Sequence, residues 1–198
     1  MPEIGRIEIQ DVGEPQIGPR DAVVQIEAVG VCGSDTAYYT VGRIGDYIVN
    51  GPIILGHECA GRVIAVGSEV TQIQVGDRVA VNPSRWCGHC KPCRESRANL
   101  CENIFFMGSA SKTPHMQGGF ATLFDATPEQ CVPVPDAVPL ASAALAEPLA
   151  VCLHAVARGE VAGRSVVVIG AGPAGLLTML AARLRGASET TMVDIAAA

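Results

Sequence analysis

The sequence predicts an α/β fold, with a β-rich domain over residues 1–140 and the opening of a doubly wound parallel sheet over 141–198. Three observations predict it. Short β-branched runs separated by turn dipeptides fill the first 140 residues. The texture turns Ala- and Leu-rich near Leu140. Beyond it a strand, a glycine-rich turn, a helix and a second strand follow in βαβ order.

In the first domain, strands are expected over Ala22–Val31, Arg62–Val66, Arg78–Val81 and Phe120–Leu123. Gly18-Pro19, Gly51-Pro52, Val75-Gly76-Asp77 and Gly118-Gly119 mark turns between them. Ala141–Arg158 reads as helical, with Pro148 marking a break or a fresh start. Ser165–Ile169 then reads as a buried strand, Pro173–Arg185 as a helix and Thr190–Asp194 as a second strand. The apolar stretch Val166–Ala182 approaches the length of a membrane span. Gly170, Gly172, Pro173 and Gly175 interrupt it, so a buried strand-turn-helix is the reading.

Composition excludes several classes. Hydrophobic residues make up 48% and charged residues 17%, enough apolar material to build a core. The net charge is −6 with no basic run, which argues against a nucleic-acid partner. The start, Met1-Pro2-Glu3, is not a secretory leader, so a cytoplasmic location with reduced thiols is expected.

That expectation turns eight cysteines toward metal ligation. Cys87, Cys90, Cys93 and Cys101 place four thiolates within 15 residues, flanked by the loop-forming Asn82, Pro83, Gly88 and Pro92. Four sulfur ligands close a tetrahedral zinc site and leave no open position, so this zinc is structural. By ligand chemistry alone an iron–sulfur cluster is the alternative. His89, between the ligands, is expected to face solvent.

A second set is split between Cys32-Gly33-Ser34-Asp35 and Gly56-His57-Glu58. Cys32, His57 and Glu58 offer sulfur, nitrogen and oxygen, the mixed set that a catalytic zinc with one open position wants. Asp35 is placed to accept the other ring N–H of His57, and Ser34 to pass on a proton. A buried core cysteine and a turn with an ion pair are the plainer readings of these pieces. His154 reads as a packed helix residue, His115 as surface or cleft-lining, and Cys59, Cys131 and Cys152 as small core hydrophobes.

The third set is Gly170-Ala171-Gly172-Pro173-Ala174-Gly175, directly after a predicted strand, with Asp194 nineteen residues beyond Gly175. Glycines let a pyrophosphate approach, a helix N-terminus meets its charge, and an acid binds ribose hydroxyls. The acid favours NAD over NADP.

Together these motifs resemble the zinc-dependent medium-chain alcohol dehydrogenases. Tyr38-Tyr39, Gly42-Arg43-Ile44-Gly45-Asp46 and Ala146-Glu147-Pro148-Leu149 are similar to their polyol (sorbitol) dehydrogenase branch. The stretch from Asn82 through Phe105-Phe106-Met107-Gly108 to Phe120 is similar to the L-idonate dehydrogenase subfamily. The resemblance implies a GroES-like domain bearing two zincs, a Rossmann domain for NAD, and hydride transfer from a secondary alcohol of a polyol or sugar acid. It implies Glu147 at the catalytic zinc, ligating it or holding its water, and Tyr38 in the substrate pocket. A homo-oligomer, dimer or tetramer, is implied for the full-length form. The family often has a His where this chain has Ala37, leaving Ser34, with Tyr38 nearest, as the proton route. Strands expected before Gly5 and after Asp194 are missing, so the chain reads as truncated at both ends and inactive by itself. A zinc-stabilised binding module, a sorbitol or xylitol dehydrogenase, and a zinc-free reductase of the same fold are the competing readings.

Overall fold

The structure is a computed structural model and describes residues 1–196. The chain forms two compact units, Met1–Leu145 and Ala146–Ala198.

The first unit is built on one antiparallel sheet. In chain order its elements are β1 (Ala22–Gly30), α1 (Gly33–Val41), the hairpin strands β2 (Arg43–Ile44) and β3 (Tyr47–Ile48), β4 (Glu58–Val66) and β5 (Arg78–Val81). There follow β6 (Ser84–Arg85), α2 (Lys91–Arg94), β7 (Phe105–Phe106), β8 (Leu123–Ala126), β9 (Cys131–Pro133) and α3 (Leu140–Ala143). The sheet order is β8-β1-β4-β5-β9. Successive residues of a strand face opposite sides, and the sheet uses this to build two cores. Cys59, Val63, Val79 and Val81 join Val24, Met107 and Phe124 on one side. Ala60 and Ala80 meet Ala143 and Ala144 on the other. Those alanines let α3 lie close against the sheet.

Strand β4 begins at Glu58, four residues before the run read from the sequence, because Glu58–Gly61 pair with Gly30–Ile26 of β1. The Phe120–Leu123 strand is corrected to β8 at Leu123–Ala126, where the ladder to Ala22–Gln25 lies. Gly118, Gly119 and Phe120 instead bond to the loop at Ile54–Gly56.

The second unit holds α4 (Ala146–Gly159), β10 (Ser165–Ile169), α5 (Pro173–Leu184) and β11 (Glu189–Val193). The expected single helix Ala141–Arg158 is two, α3 and α4, and Pro148 sits in the first turn of α4, where its missing N–H costs nothing. Strands β10 and β11 pair in parallel from Ser165↔Glu189 to Ile169↔Val193. Val156, Ala181 and Ala182 form the core of this unit. The stretch Val166–Ala182 is thus strand, turn and helix, and among the described residues no helix is long and apolar enough to cross a membrane.

Candidate metal centres

The four-cysteine lobe grows from a short neck, the antiparallel pairing of β6 with β7 (Ser84↔Phe106, Arg85↔Phe105). The intervening segment is not all loop: Cys90 caps the single turn of α2, and Ala98–Leu100 form a 3-10 turn before Cys101. The four Sγ atoms lie within 4.8 Å of one another. Cys90 Sγ lies 3.4 Å from Cys93 Sγ and 3.9 Å from Cys101 Sγ. A tetrahedron with arms of about 2.3 Å has edges of about 3.8 Å, whereas a disulfide needs about 2.05 Å. All four thiols are free.

Backbone N–H groups of His89 and Cys90 bring the Cys87 thiol down to about 6, while burial pushes Cys93 up to about 12. Thiolates this close cannot all ionise without a cation between them. His89 is exposed, its Nδ1 held 2.8 Å from the Cys87 carbonyl oxygen, so it stands outside the cluster.

The second set comes from segments far apart in sequence. Cys32 is the N-cap of α1. Asp35, 3% exposed, accepts from the Cys32 N–H through Oδ2 and from the Gly56 N–H through Oδ1, each at 2.9 Å. One carboxylate thereby ties the two ligand segments together. Gly56 makes the turn at φ +90, and a Cβ there would press on Phe120 at 3.1 Å. Glu58 pairs across the sheet with Gly30, where a Cβ would fall 2.2 Å from its Oε2.

The donor atoms of Cys32, His57 and Glu58 lie within 4.8 Å of one another. The expected Asp35–His57 hydrogen bond is absent: Oδ1 stands 3.8 Å from Nδ1, and the two backbone N–H groups that Asp35 accepts from hold the carboxylate at that distance. His57 Nδ1 is the one buried side-chain polar atom without a hydrogen-bond partner among the described residues. The His57 ring packs against Phe106 of the lobe's neck, centroids 5.4 Å apart.

A cavity of about 430 Å³ opens beside His57, with Ser34, Tyr38, Tyr47, Phe106 and Lys112 among its lining residues. The buried Tyr38 hydroxyl accepts from the Ala110 N–H at 3.2 Å. Lys112 had no motif to mark it. His115 is buried, so its surface reading is corrected: Nδ1 lies 2.9 Å from the Lys112 carbonyl oxygen, and Nε2 accepts from the Asn50 N–H at 3.0 Å. His154 is exposed on α4, two residues off the buried Cys152–Val156 stripe, so its packed reading is corrected too. Cys59 and Cys131 are core thiols whose burial pushes them up to about 12 and about 11.

In the second unit, Gly170 (φ +104) leaves β10, Gly172 caps α5, and Pro173 and Ala174 begin it. A Cβ on Gly175 would fall 1.8 Å from the Gly170 carbonyl oxygen, so only glycine lets the helix start this close to the strand. Asp194, directly after β11, accepts from the Ala171 N–H at 2.6 Å and the Ala196 N–H at 2.8 Å. Those donors, Ala171 first, hold its carboxyl below the ordinary value. Glu147 stands in the first turn of α4.

Comparison with known proteins matches residues 18–136 to the family described as the alcohol dehydrogenase GroES-like domain. A sorbitol dehydrogenase of Bacillus subtilis is 42% identical over 190 residues, covering 96% of this chain and 53% of that protein. The crystal structure of an L-idonate 5-dehydrogenase from Escherichia coli superposes with TM-score 0.85 at 40% identity, over 91% of this chain and 52% of that one. A structure from Sinorhizobium meliloti bound to NADP gives TM-score 0.84 at 37% identity, over 96% and 53%. The chain spans about half the length of the curated relatives it matches.

Proposed function

The chain belongs to the family that carries the alcohol dehydrogenase GroES-like domain, and from that premise we propose a zinc-dependent oxidoreductase. It transfers hydride from a secondary hydroxyl of a polyol or sugar acid, L-idonate among them, to NAD. One observation carries the reading: sulfur, nitrogen and oxygen donors of Cys32, His57 and Glu58 converge where a buried histidine nitrogen lacks a partner. The mixed donor set suits zinc with an open position.

When bound, zinc supplies a Lewis acid that lowers the pKa of a substrate hydroxyl, and the nicotinamide accepts the hydride. The chain's own residues do the rest. Asp35 holds the Cys32 and Gly56 backbones in place, so the ligands meet without rearrangement. Ser34 takes the proton released by the substrate hydroxyl and passes it outward, since position 37 is Ala. Tyr38 accepts from Ala110, which leaves its own O–H to donate to a substrate oxygen. Phe106 and Ile44 give the cavity apolar walls.

Cys87, Cys90, Cys93 and Cys101 are assigned a second, structural zinc. Glu147 is assigned to the catalytic zinc on the resemblance alone. Gly170, Gly172, Pro173, Ala174 and Gly175 are assigned the cofactor pyrophosphate, and Asp194 the ribose hydroxyls, which favours NAD. A cytoplasmic homo-oligomer is part of the same proposal.

Metal analysis with an oxidation assay of the whole protein tests this. Two zincs per chain are expected, with alcohol oxidation that Cys32→Ala or His57→Ala abolishes. One zinc and no turnover would make it a binding module, and no zinc a reductase.

A further inference from the structure

We propose that Lys112 is an anion-reading subsite of the cavity beside His57, so that preferred substrates carry a carboxylate or phosphate at one end. The inference rests on the dehydrogenase reading and narrows its substrate. The charged side chains lining the cavity are Glu102 and Lys112. Among the described residues neither makes an ion pair within 4.0 Å, with each other or with a third group. The cavity therefore has one positive and one negative station, both unspent.

The base of Lys112 is fixed although its side chain is exposed. His115 holds its carbonyl oxygen through Nδ1 and is itself held by the Asn50 N–H. Ser109 and Met116 exchange backbone hydrogen bonds of 3.2 and 3.0 Å across the same loop. The Tyr38 hydroxyl takes the Ala110 N–H. The loop is thus anchored to the helix and loop that form the rest of the cavity wall. Ser109 Oγ, also on the cavity, accepts from the Ser111 N–H at 3.1 Å and keeps its own O–H to donate. An ammonium and a hydroxyl donor lining one cavity suit a carboxylate or phosphate oxygen. Glu102 repels the same group, which sets the orientation: anionic end at Lys112, reacting hydroxyl toward His57.

The test compares an aldonate, the matching alditol and its phosphate monoester as substrates of the zinc-loaded protein with NAD. The ratio of kcat/KM for anionic over neutral substrate should fall roughly five- to tenfold in Lys112→Gln and further in Lys112→Glu. The loss should lie in KM, because a remote anchor binds ground and transition states alike. The wild-type KM for the anion should rise with salt. Whichever anion loses more identifies the source of the charge. A ratio unchanged in Lys112→Glu, or a wild-type preference for the alditol, would overturn the subsite. Calorimetric titration of the aldonate separates this from the parent reading. Binding weakened by Lys112→Glu without turnover of any alcohol keeps the subsite and sinks the dehydrogenase. Turnover indifferent to Lys112 does the reverse.

Discussion

The two clusters of candidate metal ligands are built in opposite ways. The four-cysteine lobe spans residues 87–101 and closes on itself, with a two-residue β pairing as its only strand support. The other set joins a residue after β1 to His57, just before β4, and Glu58, its first residue, and one buried carboxylate, Asp35, spans the gap. The lobe has little apolar core of its own, since only Cys90 and Cys101 of its ligands are buried. An ion held by the four thiolates would supply much of its order. The second set sits on a sheet that exists without one. A metal in the lobe would therefore contribute folding energy, and a metal at His57 would be function placed on a finished frame.

The largest expected effect breaks this contrast directly. Cys101→Ala should remove one zinc per chain and open the lobe to proteolysis between residues 85 and 105, because apparent zinc binding energies reach roughly 10 kcal/mol or more in such sites. Cys32→Ala should remove the other zinc while leaving thermal stability within about 1 kcal/mol. Limited proteolysis with metal analysis reads both. A lobe that stays protected in Cys101→Ala would show that packing, not metal, orders it.

A middle-sized effect sharpens the contrast at Asp35. Asp35→Ala leaves two backbone N–H groups without their acceptor, one of them at the buried Gly56, and should cost about 2–4 kcal/mol of stability. It should also weaken zinc at Cys32, His57 and Glu58 about 10- to 100-fold, as loss of a supporting hydrogen bond does. The lobe's zinc should not change. Chelator competition, read separately for the two zincs, checks it; equal weakening of both would mean that the centres are coupled through Phe106 and His57.

The same difference explains what the sequence could reveal. Spacing exposed the cysteine lobe because its ligands are local, and the glycine turn because strand, turn and helix are consecutive. The parallel pairing of β10 with β11 follows from that order. Asp35 was legible as a neighbour of His57, but not its actual partners, since hydrogen bonds to Gly56 depend on how β1 and β4 pair. The true start of β4 at Glu58 was hidden for the same reason. His115 and Lys112 lie in a loop with no periodicity, and the buried His115 takes its hydrogen bond from Asn50, 65 residues away. Local chemistry can be read along a chain, whereas contacts across such distances are decided by the fold.

The smallest expected effect concerns Asp194, which is exposed and holds its place by two backbone N–H groups. Those donors favour the charged carboxylate, so its folded pKa lies below the ordinary 3.8. A depressed folded value means that the contribution to stability is present above about pH 4 and is lost as pH falls through the folded pKa. An NMR titration should place the Asp194 midpoint below that of an unfolded peptide, and Asp194→Ser should change the melting temperature little. The same substitution should erode preference for NAD over NADP, because the carboxylate that would repel a 2′-phosphate is gone. The NADP-bound relative makes this test informative, since it shares the fold. An unshifted midpoint would mean that the Ala171 N–H does not hold the acid in solution. A preference unmoved in Asp194→Ser would place cofactor choice outside this turn.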